Sequence, residues 1–165
     1  MISVTLDKSK HNRQRFDCGV KTLNHYLCTM GNQQAGRDNT RTFVLEDEEM
    51  PEHIIGFYTL TMAPIDFNAL PKTLVKKHNN AYSGGLIARL AVDKRYAKGG
   101  FGQWLLIDAL KKLVSASEIV AFPFIIVDAK DGVAAFYQQF GFTAFANAPN
   151  KLFVTIAQVR SDLNL

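Results

Sequence analysis

Gly99, Gly100 and Gly102 fall within four residues, and the segments on either side of them narrow the fold more than any other feature of the chain. Ahead of them, Gly85-Leu86-Ile87-Ala88-Arg89-Leu90-Ala91-Val92-Asp93 reads as a strand. Behind them, Phe101, Leu105, Ala109, Leu110 and Leu113 are apolar while Gln103, Asp108, Lys111 and Lys112 are polar. That helical spacing carries toward Ile119 before Pro123 interrupts it. A strand that enters a long helix through a glycine turn calls for an α/β domain. The turn is not a mononucleotide-type phosphate loop, because no Gly-Lys-Ser/Thr sequence follows the glycines. Nor is it the dinucleotide GxGxxG, because Gly100-Phe101-Gly102-Gln103-Trp104-Leu105 lacks the third glycine, and too few βα units precede it.

The remaining elements complete a pattern of strands, helix, strand, helix, strands. Val20, Leu23, Leu27 and Met30 recur at helical spacing, with Asp17 placed to cap that helix. Gly31 and Gly36 are expected to loosen the chain around Asn32-Gln33-Gln34-Ala35. Thr40 to Leu45 and His53 to Thr61 read as the two strands of an antiparallel hairpin around the acidic turn Glu46-Asp47-Glu48-Glu49. Pro64 to His78 supports a short helix with flanking loops. Phe124-Ile125-Ile126-Val127 has the continuous apolar character of a buried central strand. Asp131 to Gln139 reads as a helix stopped near Gly141, and Phe142 to Phe145 and Lys151 to Ile156 as the last two strands. The expected fold is therefore a mixed, largely antiparallel sheet covered by helices.

A chain of 165 residues with 47% hydrophobic and 21% charged content matches one domain spanning 1–165. Neither a secretion signal nor a membrane span is legible, which leads us to expect a cytoplasmic protein. Cys18 and Cys28 form no CxxC pair, and His11, His25, His53 and His78 are scattered, so no metal site is expected. Ser83 and Ser117 lack a nucleophile elbow, which argues against a hydrolase. The formal charge of +4 favours anionic partners, and Lys8, Lys10, His11, Arg13, Arg15, Lys21, Arg37 and Arg41 concentrate it in the first quarter of the chain.

The glycine turn has a chemical reading and a bland one. Glycines let backbone approach a ligand, and a helix start leaves N–H groups unpaired and pointing outward. Together with helix polarity, Arg95 and Lys98, these donors could cradle a pyrophosphate. The same glycines also occur in βα turns that bind nothing.

The run Ala88 to Asp93, the loop Arg95 to Gly102, and Ala134-Ala135-Phe136-Tyr137-Gln138-Gln139-Phe140-Gly141-Phe142 resemble the GNAT acetyltransferase superfamily over nearly the whole chain. The family's loop pattern is R/Q-x-x-G-x-G/A; Arg95 takes its first position and Gly100 its last, while Lys98 stands where a glycine is usual. The resemblance implies an α/β GNAT fold with a central splay in the sheet for acyl-CoA, and acetyl-CoA as cofactor. It further implies that Arg95, Lys98, Gly99, Gly100, Phe101, Gly102 and Gln103 bind the cofactor's diphosphate. The backbone of Leu90, Ala91 and Val92 would pair with the pantetheine arm, near Asp128 and Phe136. Tyr137 would be the acid that protonates the departing sulfur, against the alternative that Phe136, Tyr137 and Phe140 are an aromatic face packing on the sheet.

A narrower resemblance lies in His11 to Val20, the helix ending at Leu27, Arg41-Thr42-Phe43-Val44 and Leu152 to Ala157, which are similar to the GNAT toxins of type II toxin–antitoxin systems. It implies acetylation of the α-amine of aminoacyl-tRNA, a small DNA-binding antitoxin as inhibitor, and a homodimer. An acceptor stem needs a cationic surface, which the basic N-terminal region with Arg37, Arg41 and Arg89 could form, against the alternative of a solvated face with ordinary solubility charge. An acetyltransferase of small amines or protein amines, and a noncatalytic acyl-CoA-binding protein, remain open at this point.

Overall fold

In the computed structural model, which describes residues 1–165, seven strands form one sheet in the order β1-β2-β3-β4-β5-β7-β6. The strands are β1 (Ser3–Thr5), β2 (Arg41–Glu46), β3 (Ile54–Pro64), β4 (Ser83–Val92), β5 (Phe124–Asp128), β6 (Thr143–Phe145) and β7 (Ala148–Thr155). The helices are α1 (Lys21–His25), α2 (Gly31–Gly36), α3 (Lys72–His78), α4 (Phe101–Ile119), α5 (Ala134–Gln138) and α6 (Ile156–Leu163). The β1/β2, β2/β3, β5/β7 and β6/β7 ladders are antiparallel, and β4/β5 is parallel. The expected mixed, largely antiparallel sheet with flanking helices is the one observed. No helix is long and apolar enough to cross a membrane.

The parallel ladder is short. It pairs Gly85, Leu86 and Ile87 with Ile125, Ile126 and Val127, and β4 then continues through Val92 with no further register partner in β5. Backbone donors and acceptors need partners, so a strand that outruns its neighbour offers an edge to a ligand carrying amides.

The chain divides into two compact units, Met1–Thr61 with Ala88–Ala109, and Met62–Ile87 with Leu110–Leu165. In the first, Leu6, Phe16, Tyr26, Leu27, Val44, Ile54, Phe57 and Ala91 form a buried cluster. Phe57 is fully buried and meets Phe16 edge-on at 5.4 Å; burying each such ring contributes about 2–3 kcal/mol. In the second, Ala63, Ala69, Leu70, Phe124, Ile126, Phe145 and Phe153 form the cluster.

Helix α4 buries the anticipated Leu105, Ala109, Leu110 and Leu113, and also Leu106 and Val114. Its one carboxylate among the early turns, Asp108, accepts hydroxyl bonds from Ser3 and Tyr58 at 2.5 Å. Burial, reinforced by that carboxylate, raises the pKa of the Tyr58 phenol far above its usual value, so it remains a donor.

Several boundaries depart from the sequence reading. Asp17 does not cap the first helix; its Oδ1 accepts from Gly19 N and Asn24 Nδ2, its Oδ2 pairs with Lys94, and Val20 is the cap residue. The helix does not stop before the polar stretch either. A π-helical turn at Tyr26–Met30 carries it directly into α2, so Asn32 to Ala35 are helical. Met30 is exposed and Tyr26 takes the buried place instead. Helix α5 is shorter than Asp131–Gln139, because Gly132 adopts a φ of +81° and Asp131 is held by Asn150 at 2.6 Å. The final strand ends at Thr155, whose hydroxyl accepts from Gln158 N and opens α6, an element not anticipated. Strand β1 is the other addition.

Candidate active site

The loop that joins β4 to α4 is fixed at its start by Asp93, which is completely buried. Its Oδ1 accepts from Arg95 N at 2.8 Å, its Oδ2 accepts from Asp17 N at 3.0 Å, and its own N–H donates to Ile55 O at 2.8 Å. A 3-10 turn over Lys94–Tyr96 follows. Tyr96 donates to Asp47 at 2.6 Å and meets Phe101 edge-on at 6.2 Å; burial and the neighbouring carboxylate raise its pKa. Arg95 reaches back to Asp93 at 3.4 Å and to Arg15 O at 3.2 Å while staying half-exposed. Lys94 is committed to Asp17 at 2.8 Å. Lys98 enters no ion pair of the structure and is exposed.

At the turn itself Lys98 has a φ of +65° and Gly100 a φ of +77°. Lys98 therefore adopts the left-handed conformation that a glycine would supply at its position, at a cost of about 1 kcal/mol. A Cβ on Gly99 would lie 2.6 Å from the Phe101 ring, whereas a Cβ on Gly100 would project into open space. Gly99 is thus demanded by packing and Gly100 by backbone conformation. The N–H groups of Phe101, Gly102 and Gln103 open α4 and have no intrahelical acceptor; Trp104 N is bonded to Gly100 O at 3.1 Å. The amides at a helix start, the helix polarity, a lysine in no ion pair and a Gly100 with no neighbour within 4 Å of a Cβ are chemically suited to an anion such as a diphosphate.

Upstream in the same unit, Leu90, Ala91 and Val92 lie on the part of β4 beyond its ladder with β5. Arg89 precedes them and lays its guanidinium over the Tyr26 ring at 3.6 Å from the centroid. Arg41 is already engaged, with Nη2 on Asp38 at 2.6 Å and Nη1 on Ala35 O at 2.9 Å. Arg37 is exposed and has no ion-pair partner. The three arginines thus differ in availability, which spacing in the sequence could not reveal.

In the second unit, Tyr137 on α5 is 6% exposed. Its ring packs edge-on against Phe136 at 5.1 Å and Phe142 at 5.8 Å, and Phe136 also meets Phe140 at 5.3 Å. The rings of Phe136, Tyr137, Phe140 and Phe142 thus form one aromatic cluster. Burial alone pushes the phenol up to about 12; no carboxylate or hydrogen bond contributes. Asp128 ends β5 opposite Lys151 of β7, with its side chain exposed.

Tyr26 and Asp93 are the site residues that sequence reasoning missed. Asp93 carried a readable signal, an aspartate two residues ahead of an amide it can cap. Tyr26 carried none, because its contact with Arg89 joins residues far apart in the sequence. His53 sits in the β2–β3 hairpin, its carbonyl accepting from Asp47 N. No three metal-ligating side chains converge anywhere in the chain, and neither cysteine forms a disulfide.

This combination of a seven-stranded mixed sheet, a strand that outruns its parallel neighbour and an anion-ready βα loop defines an acetyltransferase fold, and residues 38–144 match the family profile of the acetyltransferase (GNAT) domain. The chain belongs to the GNAT acetyltransferase family. Among curated relatives it is 25% identical to a probable toxin TacT of Sinorhizobium fredii, over 94% of this chain and 91% of the relative. It is 26% identical to a tRNA-acetylating toxin of Mycobacterium tuberculosis, over 88% and 87%. Among solved structures it superposes on AtaT complexed with acetyl-methionyl-tRNAfMet with a TM-score of 0.87 and 25% identity, covering 98% of each chain. AtaTR bound with acetyl-CoA gives 0.81 and 25% over 98% and 97%, and the AtaT–AtaR complex bound to DNA gives 0.78 and 26% over 99% of each.

Proposed function

We propose that this chain transfers acetyl from acetyl-CoA to the free α-amine of aminoacyl-tRNA and so acts as a toxin that blocks translation. A small DNA-binding antitoxin is the proposed inhibitor. The observation that carries the reading is the turn at Lys98 and Gly100, two left-handed residues immediately ahead of α4. The tRNA-acetylating relative and the AtaT complexes with tRNA, acetyl-CoA and AtaR support the choice of acceptor, cofactor and partner.

When bound, acetyl-CoA supplies a thioester whose carbonyl an amine can attack. The chain's part is to hold and orient. Amides of Gly99 to Gln103 and the Lys98 ammonium receive the diphosphate, and Arg95 adds positive potential from its place on Asp93. The free backbone of Leu90 to Val92 receives the amides of the pantetheine arm as a partial extra strand. Tyr137 would donate its phenolic hydrogen to the sulfur as it leaves and regain one from the proton that the acylated amine releases. Asp128 and Phe136 would also contact the cofactor, and Arg37, Arg41 and Arg89 would attract the acceptor stem. No strong base is required, because an α-amine near its own pKa is partly neutral and holding it beside the thioester provides much of the acceleration.

Labelled acetyl-CoA offered with charged tRNA, polyamines and peptides in separate pools tests the reading. Label should enter charged tRNA and neither other pool. Entry into polyamines or peptides instead would reassign the acceptor, and cofactor binding without transfer to any pool would make the chain a noncatalytic acyl-CoA binder.

Lys98 allows a separate check. Lys98→Gly relieves about 1 kcal/mol of left-handed strain but adds about 0.5–1 kcal/mol of unfolded-chain entropy. Thermal stability should therefore change little. Loss of the cation should weaken acetyl-CoA binding about threefold at low salt, a difference that shrinks as salt rises. Calorimetric titration at two ionic strengths reads both effects.

A further inference from the structure

We infer that Tyr26 is a positioning residue that holds the Arg89 guanidinium for the phosphodiester nearest the aminoacyl ester, so that this stacked pair anchors the acceptor end. The inference depends on the aminoacyl-tRNA reading above. Arg89 enters none of the ion pairs of the structure, and its one side-chain partner is the Tyr26 ring, 3.6 Å away at the centroid. A guanidinium stacked by its face keeps its N–H donors in the plane of its edge, where they match two oxygens of a phosphate. The ring beneath is fixed. Tyr26 is only 4% exposed, its hydroxyl is bonded to Thr40 Oγ1 at 3.0 Å, and its carbonyl accepts from Gly31 N across the π turn. Turns of that kind collect at functional sites.

Position completes the case. Arg89 immediately precedes Leu90 to Val92, the backbone assigned to the acyl arm. Alternate residues of a strand share a face, so Arg89 and Ala91 lie on one side of β4. An anion on Arg89 is then close in the chain to the strand that would carry the thioester. In a charged tRNA the first anion met from the aminoacyl ester is the terminal phosphodiester. A polyamine has no such group and is repelled by Arg89. Arg41, already held by Asp38 and Ala35 O, and the exposed Arg37 provide only general attraction.

The test uses the full chain, acetyl-CoA and charged tRNA, with kcat and the KM of each substrate measured separately. Arg89→Ala and Arg89→Lys should each raise the KM for charged tRNA about tenfold, with the KM for acetyl-CoA unchanged. Tyr26→Leu should raise it about fivefold, whereas Tyr26→Phe, which keeps the ring, should stay within about twofold of the parent. The double variant Tyr26→Leu with Arg89→Ala should be no worse than Arg89→Ala, because the ring acts through the cation. Additive losses, or an unchanged KM in Tyr26→Leu, would overturn the inference. Should Tyr26→Leu not fold, phenylalanines with increasing ring fluorination at position 26 preserve the shape while weakening the π face. The KM for charged tRNA must then climb with fluorination, and a flat series would overturn the positioning role. A parent protein that leaves charged tRNA unacetylated defeats the aminoacyl-tRNA reading itself; a parent that acetylates it with a KM indifferent to position 26 defeats this inference alone.

Discussion

Tyr137→Phe should lower kcat for acetyl transfer by about two orders of magnitude or more while leaving acetyl-CoA affinity and folding nearly intact. The rings of Phe136 and Phe142 meet the Tyr137 ring edge-on, and phenylalanine preserves both contacts. Removing the hydroxyl breaks no hydrogen bond within the protein, since burial alone accounts for its pKa. Thermal stability should therefore change little. Unchanged turnover in a well-folded Tyr137→Phe protein would remove the residue from the chemistry.

The direction of the pKa shift sets the pH behaviour. Burial raises the phenol from 10.0 to about 12 in the folded chain, so below pH 10 it is protonated in both folded and unfolded states. It then contributes no limb to the rate profile, and parent and Tyr137→Phe should differ in height and not in shape. Between pH 10 and about 12 the unfolded chain loses the proton first, and the parent loses stability there that the variant keeps. The phenol is a weak acid, but burial also disfavours a bare thiolate. A donor that keeps its hydrogen until the sulfur develops charge suits such a site.

What the sequence revealed follows the range of the forces involved. β4, α4 and β5 were legible because their apolar residues repeat at the period of the element that buries them; Leu105, Ala109 and Ile126 are fully buried. The Gly99-Gly100-Phe101-Gly102 loop was legible because backbone conformation limits residue choice locally. α6 was missed although Thr155 and Gln158 stand in capping register, since Leu152 to Ile156 form an apolar run that reads as one uninterrupted strand. The π turn was missed because Tyr26 and Met30 exchange the roles that simple helical spacing gives them. Within the site, Arg37, Arg41 and Arg89 looked equivalent as charges. Their difference comes from Asp38, Ala35 O and the Tyr26 ring, contacts that only folding creates. The hydroxyl of Tyr137 is the opposite case: the family resemblance suggested a role for it, and burial among the surrounding rings moves its pKa further from neutrality.

Gly100→Val should weaken acetyl-CoA binding about ten- to a hundredfold, and the reason separates this position from its neighbour. At Gly100 a Cβ meets nothing within 4 Å, so the protein itself has room for a side chain. The constraint is a φ of +77°, where a β-branched residue costs about 1–3 kcal/mol. The chain can accept that strain or shift the turn, and either response disturbs the amides that open α4. Each charge-assisted hydrogen bond to a phosphate oxygen contributes about 1.5–3 kcal/mol, so losing one or two accounts for the expected range. Gly100→Ala isolates the conformational part, with a smaller loss of affinity and about 1 kcal/mol of destabilisation. Gly99→Ala should behave differently. Its Cβ would stand 2.6 Å from the Phe101 ring, so the ring must move, and stability should fall even without cofactor. Dissociation constants measured beside thermal melts distinguish these outcomes, and a Gly100→Val protein that binds acetyl-CoA as tightly as the parent would exclude the start of α4 as the diphosphate site.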